Sequence, residues 1–179
     1  KQIKNRLHSS DDEMIQAIHQ DLIQTYQEKI DQTQTAIDAQ IEQAENDGHY
    51  RNLQTIAGIG KDTAAILYAQ LTDKTFQTAN QFISYAGLSP QIEQSGTSVH
   101  KKGRLSRYGH RRVKRSLYMP ALVAYRTGAF PQLVRNLTNA GKPKMVIIVA
   151  IMRKLAKLAY YIVKTGKPYD STRHKVIQA

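Results

Sequence analysis

Three observations predict an all-α fold. Residues 11–47 run without internal proline or glycine and carry one apolar stripe at helical spacing. A second long segment, Met145–Lys164, is apolar over the length of a core helix. Nowhere in the 179 residues does apolar–polar alternation mark a convincing strand. The expected architecture is a long coiled-coil-type helix followed by a compact helical domain.

The first helix has its start signals at Ser9, Ser10 or Asp11, any of which can cap, with Asp12 and Glu13 placed to favour the helix dipole. Ile15, Ile18, Leu22, Tyr26, Ile30, Thr33, Ile37 and Ile41 recur in steps of three and four. The remaining faces are Gln, Asp and Glu, so the stripe needs a partner. A coiled-coil arm answers that need, within one chain or between chains as a homo-oligomer (dimer or tetramer). The alternative is an amphipathic helix lying on its own domain. Gly48 is expected to end it. The domains read as an acidic arm, 1–49, and a basic domain, 50–179. Charge divides the same way. Residues 1–50 hold four Lys/Arg against ten Asp/Glu, a formal −6, whereas residues 51–179 hold 22 against four, +18. The second part therefore carries a polyanion-binding surface, for nucleic acid before membrane.

From Leu53 to Leu67 the chain reads as a short helix, a tight Gly58-Ile59-Gly60 turn and a second helix, a helix-hairpin-helix-like motif. Glycines there permit positive φ and let backbone amides reach a phosphate, with Lys61 adding charge. An equally open reading is an αα-hairpin whose glycines serve packing. A helix follows at Ala79–Tyr85, then a turn at Gly87-Leu88-Ser89-Pro90, and residues 89–109 read as a functional loop. A long helix resumes near His110 with a kink around Pro120. Met145–Lys164 raises the membrane question, which Arg153, Lys154 and Lys157 in its middle answer against. Arg153, Lys157, Tyr160 and Lys164 are expected to form one basic–aromatic stripe on it.

No cysteine is present, which excludes disulfides, thiolate metal sites and a cysteine nucleophile. The six histidines show no paired ligand spacing, so no metal site is expected in this chain; His100 and His110 read as phosphate-side donors. The densest signal is the run 101–115, where Lys101, Lys102, Arg104, Arg107, Arg111, Arg112, Lys114 and Arg115 repel one another unless phosphates are present. Tyr108 and Tyr118 are placed to stack on unpaired bases. A localisation tag or a solvated helix face is the competing reading. Just upstream, Ser95-Gly96 lies in a flexible segment before the cationic cluster. Such a serine can attack a phosphodiester, though Ser-Gly pairs are also ordinary loop chemistry. The start at Lys1, with no secretory pattern, reads as a piece of a longer cytoplasmic protein.

At these residues a resemblance emerges. Ile56-Ala57-Gly58-Ile59-Gly60, Phe82 to Pro90, Ser95-Gly96-Thr97-Ser98, Arg104-Leu105-Ser106, Gly109-His110, Leu117 to Ala121, Met152 to Ala156 and Tyr169 to His174 occur in one order. The set resembles the C-terminal transposase domain of the bridge-RNA-guided insertion-sequence transposases, relatives of the pilin-gene invertase. It covers roughly residues 50–175, and the acidic helix is similar to that family's coiled-coil segment. The resemblance implies a recombinase acting on DNA under a structured guide RNA, in a bacterial nucleoid. It implies Ser95 as the nucleophile that joins a DNA 5′ phosphate, with Gly96, Ser98, Arg104, Ser106, Gly109 and His110 as supporting signature. The nucleic-acid contacts expected are Gly58, Gly60, Lys61, Lys101, Lys102, Arg104, Arg107, Tyr108, Arg111, Arg112, Lys114, Arg115, Arg153 and Lys157. The family pairs this domain with an N-terminal RuvC-like domain whose Asp-Glu-Asp-Asp set binds Mg2+, a part these residues do not include. Alternatives are a non-catalytic RNA/DNA-binding and oligomerisation module, or an assembly domain whose charge complements a partner protein.

Overall fold

The computed structural model describes residues 13–45, 47–91, 94–95, 99–100, 104–106 and 108–174. The chain divides into two compact units, Lys1–Asn46 and Asp47–Ala179. The first contains helix α1, Glu13–Glu45, whose 33 residues span about 50 Å. Its polar faces are laced at i, i+4 by Gln24 to Glu28 (3.1 Å), Gln27 to Asp31 (3.1 Å) and Gln34 to Asp38 (2.9 Å). Ile15, Ile18, Leu22, Tyr26 and Ile30 of the apolar stripe are exposed, and Ile37 and Ile41 are half-buried. The candidate caps Ser9 to Asp12 lie outside the described residues.

Gly48 does not close α1; it opens α2, Gly48–Gln54. The reason is Asp47, whose carboxylate accepts the His49 amide at 2.8 Å as an N-cap and also accepts the Tyr68 hydroxyl. The Tyr68 bond, then the amide bond, hold the Asp47 carboxyl below its usual range, and the same bond with burial pushes Tyr68 up to about 12. Helix α3, Lys61–Asp73, follows, then α4, Ala79–Tyr85, entered through a Thr78/Gln81 capping box.

The helix expected from His110 onward is two helices, α5, Arg111–Ser116, and α6, Tyr118–Arg126, broken at Leu117. Pro120 has no amide to give to Ser116, four residues back, and the Ser116 carbonyl instead accepts the Thr63 hydroxyl at 3.3 Å. Thus the proline that interrupts the ladder also ties α3 to the break. Helix α7, Pro131–Asn139, then leads to α8, Lys144–Thr165.

Helix α8 is the centre of the second unit and packs against α2, α3, α4, α6 and α7. Ile147, Ile148, Ile151, Met152, Leu155, Ala156, Ala159 and Ile162 are buried on it. They meet Leu53, Leu67, Phe82, Ala121 and Ala124 in a core where each fully buried large apolar side chain stabilises by about 1.5–3 kcal/mol. Tyr160 belongs to this core and not to a basic–aromatic stripe: it is 6% exposed and its hydroxyl donates to the Phe76 and Gln77 carbonyls at 3.2 and 2.8 Å. Among the described residues no helix is long and apolar enough to cross a membrane.

The class is all-α, relieved among the described residues by four two-residue strands: β1, Pro90–Gln91; β2, Gln94–Ser95; β3, Val99–His100; and β4, Arg104–Leu105. β1 pairs antiparallel with β4, and β2 antiparallel with β3. A short 3-10 turn, Ser171–His174, follows α8.

Candidate functional site

The segment between α4 and α5 is an arm of two nested ladders. Pro90 faces Leu105 and Gln91 faces Arg104; further out in the sequence Gln94 faces His100 and Ser95 faces Val99. Ser95 therefore sits in the inner ladder, four positions before its pairing partner Val99 along the chain. Gly96 and Ser98 lie outside the described residues, as do Lys101, Lys102 and Arg107.

The root of the arm is closed by two glycines pressed together. Gly87 and Gly109 have φ of +68° and +117°, and a Cβ on Gly109 would overlap the Gly87 Cα and N. A Cβ on Gly87 would overlap the Tyr108 carbonyl oxygen and come 2.9 Å from Lys114 Nζ. No other residue type permits this backbone crossing without displacement. Hydrogen bonds follow it on both sides: His110 N to Tyr85 O at 2.7 Å, Ser106 N to Ser89 O at 3.2 Å, and the Ser84 and Ser89 hydroxyls at 2.9 Å.

Of the signature residues, Ser106, Gly109 and His110 lie here. Ser106 Oγ accepts the Tyr108 amide at 3.1 Å, and Lys114 Nζ donates to Ser106 O at 2.8 Å. Lys114 is thus engaged with the root of the arm. His110 caps α5, its Nδ1 accepting the Val113 amide at 3.3 Å, so the ring's donor is Nε2–H. Its ring stacks on Tyr85 with centroids 5.2 Å apart, and the Tyr85 hydroxyl donates to Gln70 on α3. Phe76 and Phe82 complete the aromatic cluster at 5.3 and 6.4 Å from Tyr85. The sequence reads Tyr85, Gly87 and Ser89 only as a helix end and a turn, and gives none of them, nor Gln70, a role at the root of an arm. Only their pairing with residues about twenty positions away reveals one, and no local pattern encodes it.

Cations and rings that remain open surround the root on the α5 side. Arg111, Arg112 and Arg115 are exposed, Tyr108 is 80% exposed and Tyr118 is 37% exposed. A phosphate-bearing chain fits such a surface: the guanidinium forks give charge and the rings give stacking area. Of the hairpin glycines, Gly58 is a packing residue, since a Cβ there would lie 2.6 Å from the Pro120 carbonyl oxygen. Gly60 has nothing within 4 Å of such a Cβ and stands before the N-terminus of α3, next to Lys61. Arg153 and Lys157 lie on α8. Among the described residues no group of three or more His, Asp or Glu side chains is placed to hold a metal ion.

Residues 50–135 match the family model described as "Transposase IS116/IS110/IS902 family". Over 126 residues the chain is 39% identical to the pilin gene-inverting protein of Moraxella bovis, covering 69% of this chain and 39% of that relative. The pilin gene-inverting protein of Moraxella lacunata matches to the same extent. An insertion element IS110 43.6 kDa protein of Streptomyces coelicolor is 30% identical over 121 residues, covering 66% of this chain and 30% of the relative. The chain thus spans 39% or less of the length of these relatives.

Proposed function

We propose that this chain is the serine-bearing transposase part of a longer DNA recombinase of the IS116/IS110/IS902 type. The match over residues 50–135 and the pilin gene-inverting relatives support DNA rearrangement as the activity. The observation that carries the role of Ser95 is its position in the inner ladder of an arm whose root is closed by the Gly87–Gly109 crossing. An arm held at its root can present one residue repeatedly in one place, which is what in-line attack on phosphorus requires.

In this reading Ser95 Oγ attacks a DNA phosphorus and the P–O3′ bond breaks. The serine is left joined to the 5′ phosphate, and the 3′ oxygen leaves as a hydroxyl. A base takes the serine proton and, by way of solvent, a proton reaches the departing 3′ oxygen, so one hydroxyl is lost and one is formed. One phosphodiester is exchanged for another, so a 3′ hydroxyl from a second strand can reverse the step and reseal DNA. Arg111, Arg112 and Arg115 neutralise the phosphates approaching the arm. We further propose that a structured guide RNA selects the DNA, that Mg2+ belongs to a RuvC-like acidic centre elsewhere in the full-length protein, and that the open stripe of α1 joins copies of the chain. Among the described residues no group of three or more His, Asp or Glu side chains fits that metal.

The test is Ser95→Ala in the full-length protein. It should assemble on DNA as tightly as the parent, yet leave no protein attached to labelled DNA on a denaturing gel. An adduct of parental yield in the Ser95→Ala variant would transfer the role to another residue and refute the assignment.

A further inference from the structure

The stripe expected on α8 exists one residue away from where periodicity placed it. Tyr160 turns inward, and Tyr161 takes the outward position, 48% exposed. At 3.6 residues per turn Arg153, Lys154, Lys157, Tyr161 and Lys164 fall within an arc of about 100°, opposite the buried row Ile148, Ile151, Leu155, Ala159 and Ile162. Tyr161 stands edge-on to Tyr160, with centroids 5.4 Å apart and planes at 75°, and Tyr160 is itself bonded to the Phe76 and Gln77 carbonyls. The outward ring is therefore braced by a core residue. Lys157 lies one turn before it and Lys164 one turn after.

These cations have no carboxylate near them in sequence: from Gln94 to Tyr169 there are 17 Lys/Arg and no Asp or Glu. Burial, and then the neighbouring Lys157, hold the Lys154 ammonium below its usual range. Like charges concentrated on one helix face are relieved by an anion. A bilayer is a poor fit, because the arc carries only Val146 and Ala150 as aliphatic side chains to enter it. A duplex would reward the cations but has its bases already stacked, leaving Tyr161 without a use. An unpaired strand rewards both.

We propose that this face of α8 binds an unpaired DNA strand, its phosphates along Arg153, Lys154, Lys157 and Lys164 and a base stacked on Tyr161. The choice of DNA rests on the transposase reading; the choice of a single strand rests on Tyr161. Strand transfer exposes such a strand, and a holding site on a rigid core helix keeps it available.

The test is fluorescence anisotropy on the 179-residue chain with labelled oligodeoxythymidine of about twelve bases, a duplex of equal length, and oligouridine. Tyr161→Ala and Tyr161→Leu should each weaken oligodeoxythymidine binding by about 5- to 100-fold, with Tyr161→Phe within about twofold of the parent. Duplex binding should stay within about twofold in all three. The leucine retains apolar contact with Tyr160, so a folding defect cannot imitate the loss. Lys157→Gln with Lys164→Gln should lower the slope of log affinity against log salt by about 1.4. Parental binding by Tyr161→Leu, equal losses on the duplex, or a Tyr161-dependent preference for oligouridine would each overturn the proposal. A missing adduct at Ser95 refutes that assignment alone, and an intact adduct with no Tyr161 effect refutes this one alone.

Discussion

Adding one methyl group at Gly109 is the sharpest perturbation of the arm. The new Cβ would overlap the Gly87 Cα and N and lie 2.9 Å from the Tyr85 carbonyl oxygen, with backbone at φ +117°. Positive φ costs a side-chain-bearing residue about 1–2 kcal/mol. Forcing backbone from backbone adds about 1–3 kcal/mol by the usual scale of overpacking. Relief by separation would lengthen the 2.7 Å bond from His110 N to Tyr85 O, worth about 1 kcal/mol. Gly109→Ala should therefore lose about 3–6 kcal/mol in urea unfolding. Gly128→Ala is the internal control: its φ is +66° and nothing lies within 4 Å of its Cβ, so it should lose only about 1–2 kcal/mol. Equal losses in the two variants would refute the crossing as the lock of the arm.

Other perturbations separate the remaining contacts. Asp47→Ala removes the cap of α2 and should cost about 1 kcal/mol by thermal unfolding. Because the Asp47 carboxyl is held below 3.8, its contribution is present above that pH and is lost as pH falls through the folded value. Tyr68, raised from 10.0 to about 12, contributes below pH 10 and loses that contribution as pH climbs towards 12, so Tyr68→Phe should flatten the alkaline limb of a stability–pH curve. Lys114→Met should raise hydrogen exchange at the Ser106 and His110 amides while leaving Leu155 protected. Gly58→Ala should cost about 2–4 kcal/mol against Pro120, whereas Gly60→Ala should cost less than about 1 kcal/mol.

Legibility in the sequence followed the range of the interactions involved. Helix α4 appears at the residues expected before the Gly87–Pro90 turn, and α8 extends one residue beyond each end of its apolar run. Both are set by local signals. The Pro120 kink was visible as a missing amide, but the separation at Leu117 needed Thr63, more than fifty residues earlier, to satisfy Ser116. Tyr160 and Tyr161 are adjacent and chemically identical; Tyr160 follows buried Met152 and Ala156 at four-residue steps and its hydroxyl meets the Phe76 and Gln77 carbonyls, which turns it inward. The ladders of the arm escape periodicity because two-residue strands have no alternation to detect. The proposal for Ser95 rests on the resemblance of its segment, while the Gly87–Gly109 crossing at the root of the arm has no local signal in the sequence. Such a lock joins distant positions that each look like an ordinary turn.

Mass spectrometry of the full-length protein after reaction with a DNA substrate and nuclease digestion tests the nucleophile most directly. A nucleotide attached through phosphate to the peptide bearing Ser95 is expected, absent from the Ser95→Ala protein. The same adduct mapped to Ser106 or to a tyrosine, with the Ser95 peptide unmodified, would contradict it.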